Sequence, residues 1–550
     1  VNTTETEFAP EIRIATFLHP WALWLYLGAL ASLCFLQVAL GALPTRVYAH
    51  DYFIYFDGAW RLANGQIPYV DFYAGYGVLV WNPLRWGLAL HDYNADGIGL
   101  ARAFYTAFIG VWFLLLSHLA PRRVQSMTLG LFILMFVSAA RPLGEYPTWV
   151  SHAMFYNRVS YALLFLIIFE QLAVFRFEAA DNSIAGRQHD KLQFWRGVST
   201  GAALACTILV NTPFLLPGAA VLATGLLLFG VNRRHLIGTL TGGLAVIVFA
   251  ITCLHFRPVA FLHETLILIH QRGGTASQAV NTVVEDLGEL LFALAAGLAV
   301  SSVRFVNRGI RRRYVLATVV IAGCDIFCRA AVTVRGDLPL VAFWCLSGAL
   351  LLLSAPIAAA AATARRQRMI TLLVLCPIAL PIFLFDLSSS VYAAYKTAAS
   401  RNDTSLRFDS ARLRNWVPQD WLGADPNFVS RNGKPLILAT NDGIHLLQRL
   451  TRQDETVSCI AYDNPFSFVL ERRPPQGGAL WLHMGNSISI DHPVPEYMAI
   501  GHPDLLMVER PNYVEGNTTA AILSLYPDLL TKEFALVGSS QYWTLYRRRS

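Results

Sequence analysis

The sequence predicts a polytopic α-helical membrane protein of about eleven spans followed by a C-terminal extracytoplasmic α/β domain. Three observations lead there. Hydrophobic residues make up 55% of the 550 and charged residues only 14%, with a mean hydropathy of +0.44, too few charges to cover a soluble globule of this size. Apolar runs of spanning length recur up to residue 392 and then stop. Lys and Arg gather in every second connection between those runs, the pattern that sets membrane topology. The net charge of +7 and a pI near 9.0 would suit a nucleic-acid partner, but the basic residues form short clusters rather than one stripe. Membrane lipid is therefore the expected partner, and nucleic acid is not.

The expected spans are 20–43, 100–120, 127–141, 159–176, 197–212, 214–230, 238–255, 287–305, 314–332, 340–363 and 370–392. The basic connections carry Arg122 and Arg123; Arg187, Lys191 and Arg196; Arg233 and Arg234; Arg304, Arg308 and Arg311 to Arg313; and Arg365, Arg366 and Arg368. These face the cytoplasm by the positive-inside rule, which places the N-terminus inside and, with an odd span count, residues 397–550 outside. The first run is long enough to span and lacks a small-residue cleavage site, so it is expected to stay as a helix. The chain divides into a membrane part, 1–396, with interfacial helices in the outside loop 44–99, and a soluble part, 397–550. Seven of the eight cysteines lie in apolar runs, leaving Cys459 alone in the soluble part, so no disulfide framework is expected.

The first outside loop is the most informative stretch. Between His50 and Pro83 it sets Asp51, Asp57, Arg61 and Asp71 among a dense run of Tyr, Phe and Trp, far more than a simple connection needs. Residues 52–64 read as an amphipathic helix in the interface plane, with Tyr52, Tyr55, Phe56, Ala59 and Ala63 on one face and Asp57, Arg61 and Asn64 on the other. Gly65 ends it, Pro68-Tyr69 makes an extended exit, and Val78–Leu90 is a second apolar piece too short to cross. An acid where a helix leaves the bilayer costs free energy unless it is solvated or used, which singles out Asp51.

The second outside loop, 141–158, combines Glu145, His152, Asn157 and Arg158 with Trp149, Phe155 and Tyr156. Aromatic faces beside acids and amides suit a sugar, and they equally describe an ordinary interfacial loop. In the connection 256–286 a helix is expected to place His263, Glu264, His270 and Gln271 on one side. A zinc protease motif needs its histidines four apart, and here they are seven apart. Arg257, His270 and Arg272 could hold a lipid-linked phosphate or rim ordinary head groups. Within the spans, Asp325 and Arg329 at i, i+4 read as a structural bridge. In the soluble part the runs 435–440, 456–462, 479–484, 504–509 and the pair FALVG and YWTLYRR read as strands, with helices at 443–452 and 518–532. Trp416, Trp421, Trp481 and Trp543 read as packing residues first and as glycan contacts second.

The acid Asp51 after the first span, the Ala59…Gly65…Pro68-Tyr69 spacing, the acid in Val70-Asp71-Phe72 and the Gly77-Val78-Leu79 turn resemble the first outside loop of GT-C fold glycosyltransferases that use polyprenyl-phosphate sugars, such as protein O-mannosyltransferases and lipid A aminoarabinose transferases. A polytopic core with an exported C-terminal domain fits the same families. Two departures are visible: the acid pair common there is Asp51-Tyr52 here, and a Pro-Pro-Leu element is replaced by Gly77-Val78-Leu79.

The resemblance implies an inverting glycosyltransferase in a bacterial inner membrane, moving a sugar from a polyprenyl-phosphate carrier to a glycan, lipid or protein acceptor of the cell envelope on the periplasmic face. Such chemistry needs a base for the acceptor hydroxyl and cations for the departing phosphate. Asp51 is the candidate base. Asp71, Glu145 and Asp57 are candidates for acceptor or metal binding, the metal being a divalent cation such as Mg or Mn. Arg158, Arg272, His270 and Lys396 are candidates for the donor phosphate. The rival readings are a transporter or flippase for lipid-linked glycans, which would carry two related halves, and a non-catalytic assembly subunit, which would tolerate loss of these acids and cations.

Overall fold

In the computed structural model of the chain, the described residues are 20–117, 123–177, 186–230, 232–271, 275–285, 287–304, 308–332, 337–353, 362–400, 406–420, 432–510 and 516–549. Each of the eleven expected apolar runs falls on a helix. These are α1 (Pro20–Leu40), α4 (Gly97–Ser117), α5 (Arg123–Ser138), α6 (Phe155–Phe177), α7 (Gly186–Val210), α8 (Leu215–Phe229), α9 (Arg233–Cys253), α12 (Leu287–Arg304), α13 (Arg308–Val332), α14 (Pro339–Leu353) and α15 (Ala362–Ser400). Between them lie α2 (Asp51–Ala63), α3 (Val78–Ala89), α10 (Pro258–Gln271) and α11 (Thr275–Glu285). By length and composition, five segments among the described residues can cross a membrane: Trp21–Leu40, Gly97–Ser117, Arg233–Cys253, Arg308–Val332 and Pro377–Ser400. Large apolar side chains such as Trp24 and Phe35 on α1 and Leu240, Leu244 and Val248 on α9 stand exposed, a surface suited to lipid rather than water. In α6, by contrast, Leu163 to Phe169 are all buried, as befits a helix apolar on every side.

Two small-residue seams hold α7 against α9. A Cβ added at Gly201 would lie 1.8 Å from the carbonyl oxygen of Thr239, and one at Gly242 would lie 2.0 Å from that of Val198. Gly197 and Gly238 make equally close approaches, so both helices carry the glycine spacing that lets membrane helix backbones meet. One buried ion pair joins α6 to α7: Arg196 Nε donates to Glu170 at 2.9 Å. The expected Asp325–Arg329 bridge does not form. Asp325 sits opposite the start of α14 and accepts from the Val341 amide at 3.0 Å instead. An amide at a helix N-terminus lacks an intrahelical partner, and here it outcompetes a guanidinium one turn away.

After residue 406 the chain forms a four-stranded sheet in the order β1-β2-β4-β3, built from β1 (Val457–Ile460), β2 (Leu505–Glu509), β3 (Phe534–Ser539) and β4 (Trp543–Arg548). β1 and β2 pair in parallel, and the other neighbours pair antiparallel. Residues 435–440, expected as a strand, belong to helix α16 (Gly433–Leu450). Leu436, Ile444 and Leu447 recur at helical spacing and are buried, so the apolar run continues past the expected strand end with a period nearer four than two. The run 479–484 makes only isolated bridges, Tyr73 to Ala479, Asp463 to Trp481 and Met484 to Ile488. Of the four tryptophans, Trp416, Trp481 and Trp543 are buried, and Trp421 lies outside the described residues.

A further correction is α2. Its expected polar face meets solvent only at Asn64: Asp57 and Arg61 are both buried, because the C-terminal part lies over them. Arg61 Nε donates to Asp57 Oδ2 at 2.9 Å, and Nη1 donates to the carbonyls of Pro475 and Gly477 at 3.1 and 3.0 Å. On the apolar side Phe56 stacks on Phe468 at 4.9 Å between centroids, and Tyr52 stacks on Trp416 at 4.9 Å. One hydrophobic core therefore runs from the helices through α2 into the sheet. Removing one member of a buried pair strands the other, at a typical cost of roughly 3–5 kcal/mol. Arg61→Ala is expected to lower thermal stability in detergent by an amount of that order and to speed proteolytic release of the C-terminal part. Asp57→Leu combined with Arg61→Met should recover part of the loss, and wild-type behaviour of Arg61→Ala would mean the pair does not hold the two parts together.

Candidate functional site

Where α1 ends, the chain turns through Tyr48 and His50 into the first turn of α2, which opens on Asp51. A carboxylate there is favoured by the helix dipole. Asp51 keeps 13% of its side chain exposed, and its Oδ1 lies 3.3 Å from Nε2 of the buried His50. His50 in turn meets the Tyr462 ring edge-on at 4.7 Å, and Tyr462 lies 5.4 Å from His483. Both come from the C-terminal part.

Three tyrosines gather on the side of Asp51: Tyr55 and Tyr156 within reach of its charge, and Tyr76 joined to Tyr156. Burial first, and the charge of Asp51 among the smaller causes, push the Tyr55 and Tyr156 hydroxyls well above their usual range. Tyr156 donates to the Tyr76 hydroxyl at 2.7 Å, and the Tyr76 ring stacks on Trp481 at 5.1 Å. The second outside loop is fastened to α2 through backbone amides: His152 donates to Tyr52 Oη and Met154 to Tyr55 Oη, each at 2.7 Å. His152 is itself buried beside Arg102, and burial ahead of that charge lowers it to about 3, so its ring is neutral.

Gly75 shapes the far side. Its φ of +71° suits glycine, and a Cβ there would lie 1.9 Å from the Trp481 ring. Its amide donates to Oε1 of Glu264 on α10. Glu264 is buried, and desolvation raises it to about 8 against the pull of the Gly75 and Ala74 amides. Sequence reading placed Glu264 in a helix but gave it no role; its spacing from the first loop, 189 residues, carries no local signal.

The remaining candidates are dispersed. Asp71 Oδ2 accepts from the Ile67 amide at 2.7 Å and Oδ1 from Gln476 at 2.8 Å, which clips the loop to the C-terminal part. Glu145 accepts from the Tyr48 hydroxyl at 2.7 Å, and Asp57 belongs to the Arg61 pair. Arg158 is buried, spanning both oxygens of Asp386 at 3.0 and 3.1 Å while donating to the Arg141 and Phe136 carbonyls. Arg141 shares Asp386 and also pairs with Asp337. His270 stands exposed near the end of α10, 6.1 Å from the His492 ring, and Lys396 Nζ lies 5.7 Å from the Tyr392 centroid. Arg272 lies outside the described residues. Among the described residues, no three His, Cys, Asp or Glu come together as a cation cluster.

No protein-family model and no curated protein matches the chain. Among solved structures it is similar to ArnT from Cupriavidus metallidurans bound to undecaprenyl phosphate, with 14% identity over 96% of this chain and 98% of that one and a TM-score of 0.43. It is also similar to the archaeal oligosaccharyltransferase AglB from Archaeoglobus fulgidus, in complex with an inhibitory peptide and a dolichol-phosphate, with 13% identity over 96% of this chain and 75% of that one and a TM-score of 0.35. Identities and superpositions this low leave its chemistry to its own residues.

A carboxyl raised from 4.5 to about 8 stabilises the fold fully below its unfolded value, and that contribution is lost as pH rises through 8. Glu264→Gln keeps the acceptor oxygen for Gly75 and removes the titration. The variant is expected to show a flatter stability profile between about pH 4.5 and 8, read by thermal unfolding across that range. An unchanged slope would place the titrating group elsewhere.

Proposed function

We propose that this chain is an inverting, integral-membrane glycosyltransferase that moves a sugar from a polyprenyl-phosphate carrier to a cell-envelope acceptor on the periplasmic side of a bacterial inner membrane. The observation that carries the reading is the placement of Asp51: a partly accessible carboxylate just past the end of the first span, flanked by His50, walled by tyrosines and bordered by Tyr462 of the C-terminal part. Such a recess admits an acceptor hydroxyl at a carboxylate while aromatic faces exclude bulk water and offer a surface to a sugar ring. Asp51 is the general base of this proposal, and His50 orients its carboxylate. Glu145, held through Tyr48 in the segment leading to Asp51, is the second-rank acid for acceptor orientation or for a divalent cation.

Asp71 and Asp57 act in this reading as fasteners of the first outside loop. Arg158, committed to Asp386, shapes the loop that carries Tyr156. The donor phosphate is assigned to His270, near the end of α10, and to Arg272, two positions on in the sequence, with Lys396 as a further candidate. A guanidinium that spans two phosphate oxygens stabilises the departing charge more than the bound substrate.

Asp51→Asn keeps size and removes basicity, so transfer from a synthetic short-chain polyprenyl-phosphate sugar should fall about 100- to 10,000-fold with near-normal folding. Wild-type turnover would pass the role of base to another acid. Placing residues 397–550 outside is tested separately. A reporter active only in the cytoplasm, fused after Ser550, should be silent, and its activity would invert the proposed topology.

A further inference from the structure

A second recess lies apart from Asp51. It is a cavity of about 580 Å³ between the end of α1, the start of α4 and the segment 407–417 that leads into the sheet. One wall is apolar, from Val38 to Leu40 with Leu43 and Pro44, and the facing wall carries His91, Arg407, Arg414 and Asn415. Thr397 and Ser400, at the end of α15, also border it. Two segments able to span a membrane by length and composition, Trp21–Leu40 and Pro377–Ser400, end at its rim, which under the proposed topology lies at the membrane–water boundary.

The polar wall is rigidly built. Leu413 and Trp416 are fully buried on either side of Arg414, and Trp416 Nε1 donates to Thr45 at 2.9 Å. The Arg412 guanidinium lies over the Trp60 ring at 4.1 Å. The acid in the lining, Asp96, has both oxygens engaged: Oδ1 accepts from the Ala42 amide at 3.2 Å and Oδ2 from Asn415 at 2.8 Å. It ties the two walls together and leaves Arg414 without an ion pair among the described residues. A space of this size suits a small-molecule head group, with a cation on the aqueous side and apolar surface on the membrane side.

We infer that this cavity binds the phosphate head group of an anionic membrane phospholipid, at a site separate from the one proposed for transfer. Arg414 contacts the phosphate, Asn415 and His91 supply further hydrogen-bond donors, and the end of α1 receives the first part of the glycerol and acyl region. The cation selects against zwitterionic lipid, and the apolar wall selects against a bare anion.

The full chain in phosphatidylcholine nanodiscs, titrated with short-chain phosphatidylglycerol and read by native mass spectrometry, should show saturable binding. Arg414→Ala should weaken it about tenfold, the effect of one charge-assisted hydrogen bond, and Arg414→Lys less. Because Arg414 is exposed, the variant should fold normally, and Arg452→Ala, at another exposed arginine, should bind as wild type. Unchanged binding by Arg414→Ala would overturn the inference. So would equal binding of inorganic phosphate, or of added short-chain phosphatidylcholine. Sugar transfer measured in lipid-free detergent should be unaffected in Arg414→Ala, and its loss would assign the cavity to the donor or acceptor and overturn the separate lipid site. Failure of the transfer reaction itself leaves this binding readout standing.

Discussion

The buried Arg61 guanidinium is the interaction on which the arrangement of the molecule depends. It is neutralised within its own helix by Asp57 and spends another nitrogen on two backbone carbonyls of the 475–477 turn. Backbone carbonyls in a turn have no sheet partner, so their burial is acceptable only where a donor reaches them. A planar, permanently charged donor with several N–H groups satisfies two at once. The consequence is that the C-terminal part is not a loose appendage: its docking is written into the polar side of α2, and the same docking brings Tyr462, Trp481 and His483 to the Asp51 recess.

Around that recess, aromatic contact does most of the shaping. Tyr76 is held between Tyr156 and Trp481, at 4.2 and 5.1 Å between centroids, so the first loop, the second loop and the C-terminal part meet at one ring. Gly75 allows the closest approach to Trp481, and Glu264 secures the amide that this turn would otherwise leave unpaired. Charged groups nearby are mostly committed to structure, as Arg158 is to Asp386 and Asp57 to Arg61.

Much of the helical layout was legible in the sequence. Eleven apolar runs each became a helix, the 51–63 and 78–89 helices fell where the loop pattern placed them, and four of the strands formed at the expected segments. The misreadings share a cause. Residues 435–440 have the composition of a strand, yet belong to a longer helix whose buried positions extend to Leu447, so a six-residue window sees too little of the period. Asp325 and Arg329 have the spacing of an ion pair, but an amide from another helix lies closer to the acid.

The sequence by itself determined the apolar, many-helix character of the chain, the position of the helices and the place of Asp51 just beyond the first apolar helix, because hydropathy and periodicity are local properties of the chain. Tertiary structure alone decided which polar groups are spent on holding the fold. Asp57 and Arg61 look like a solvated helix face until another part of the chain, more than 400 residues away, covers them. Glu264 looks like one more interfacial acid until it meets Gly75. Burial and hydrogen-bond partners are set by contacts between distant segments, and no local pattern of residues encodes which segment will arrive.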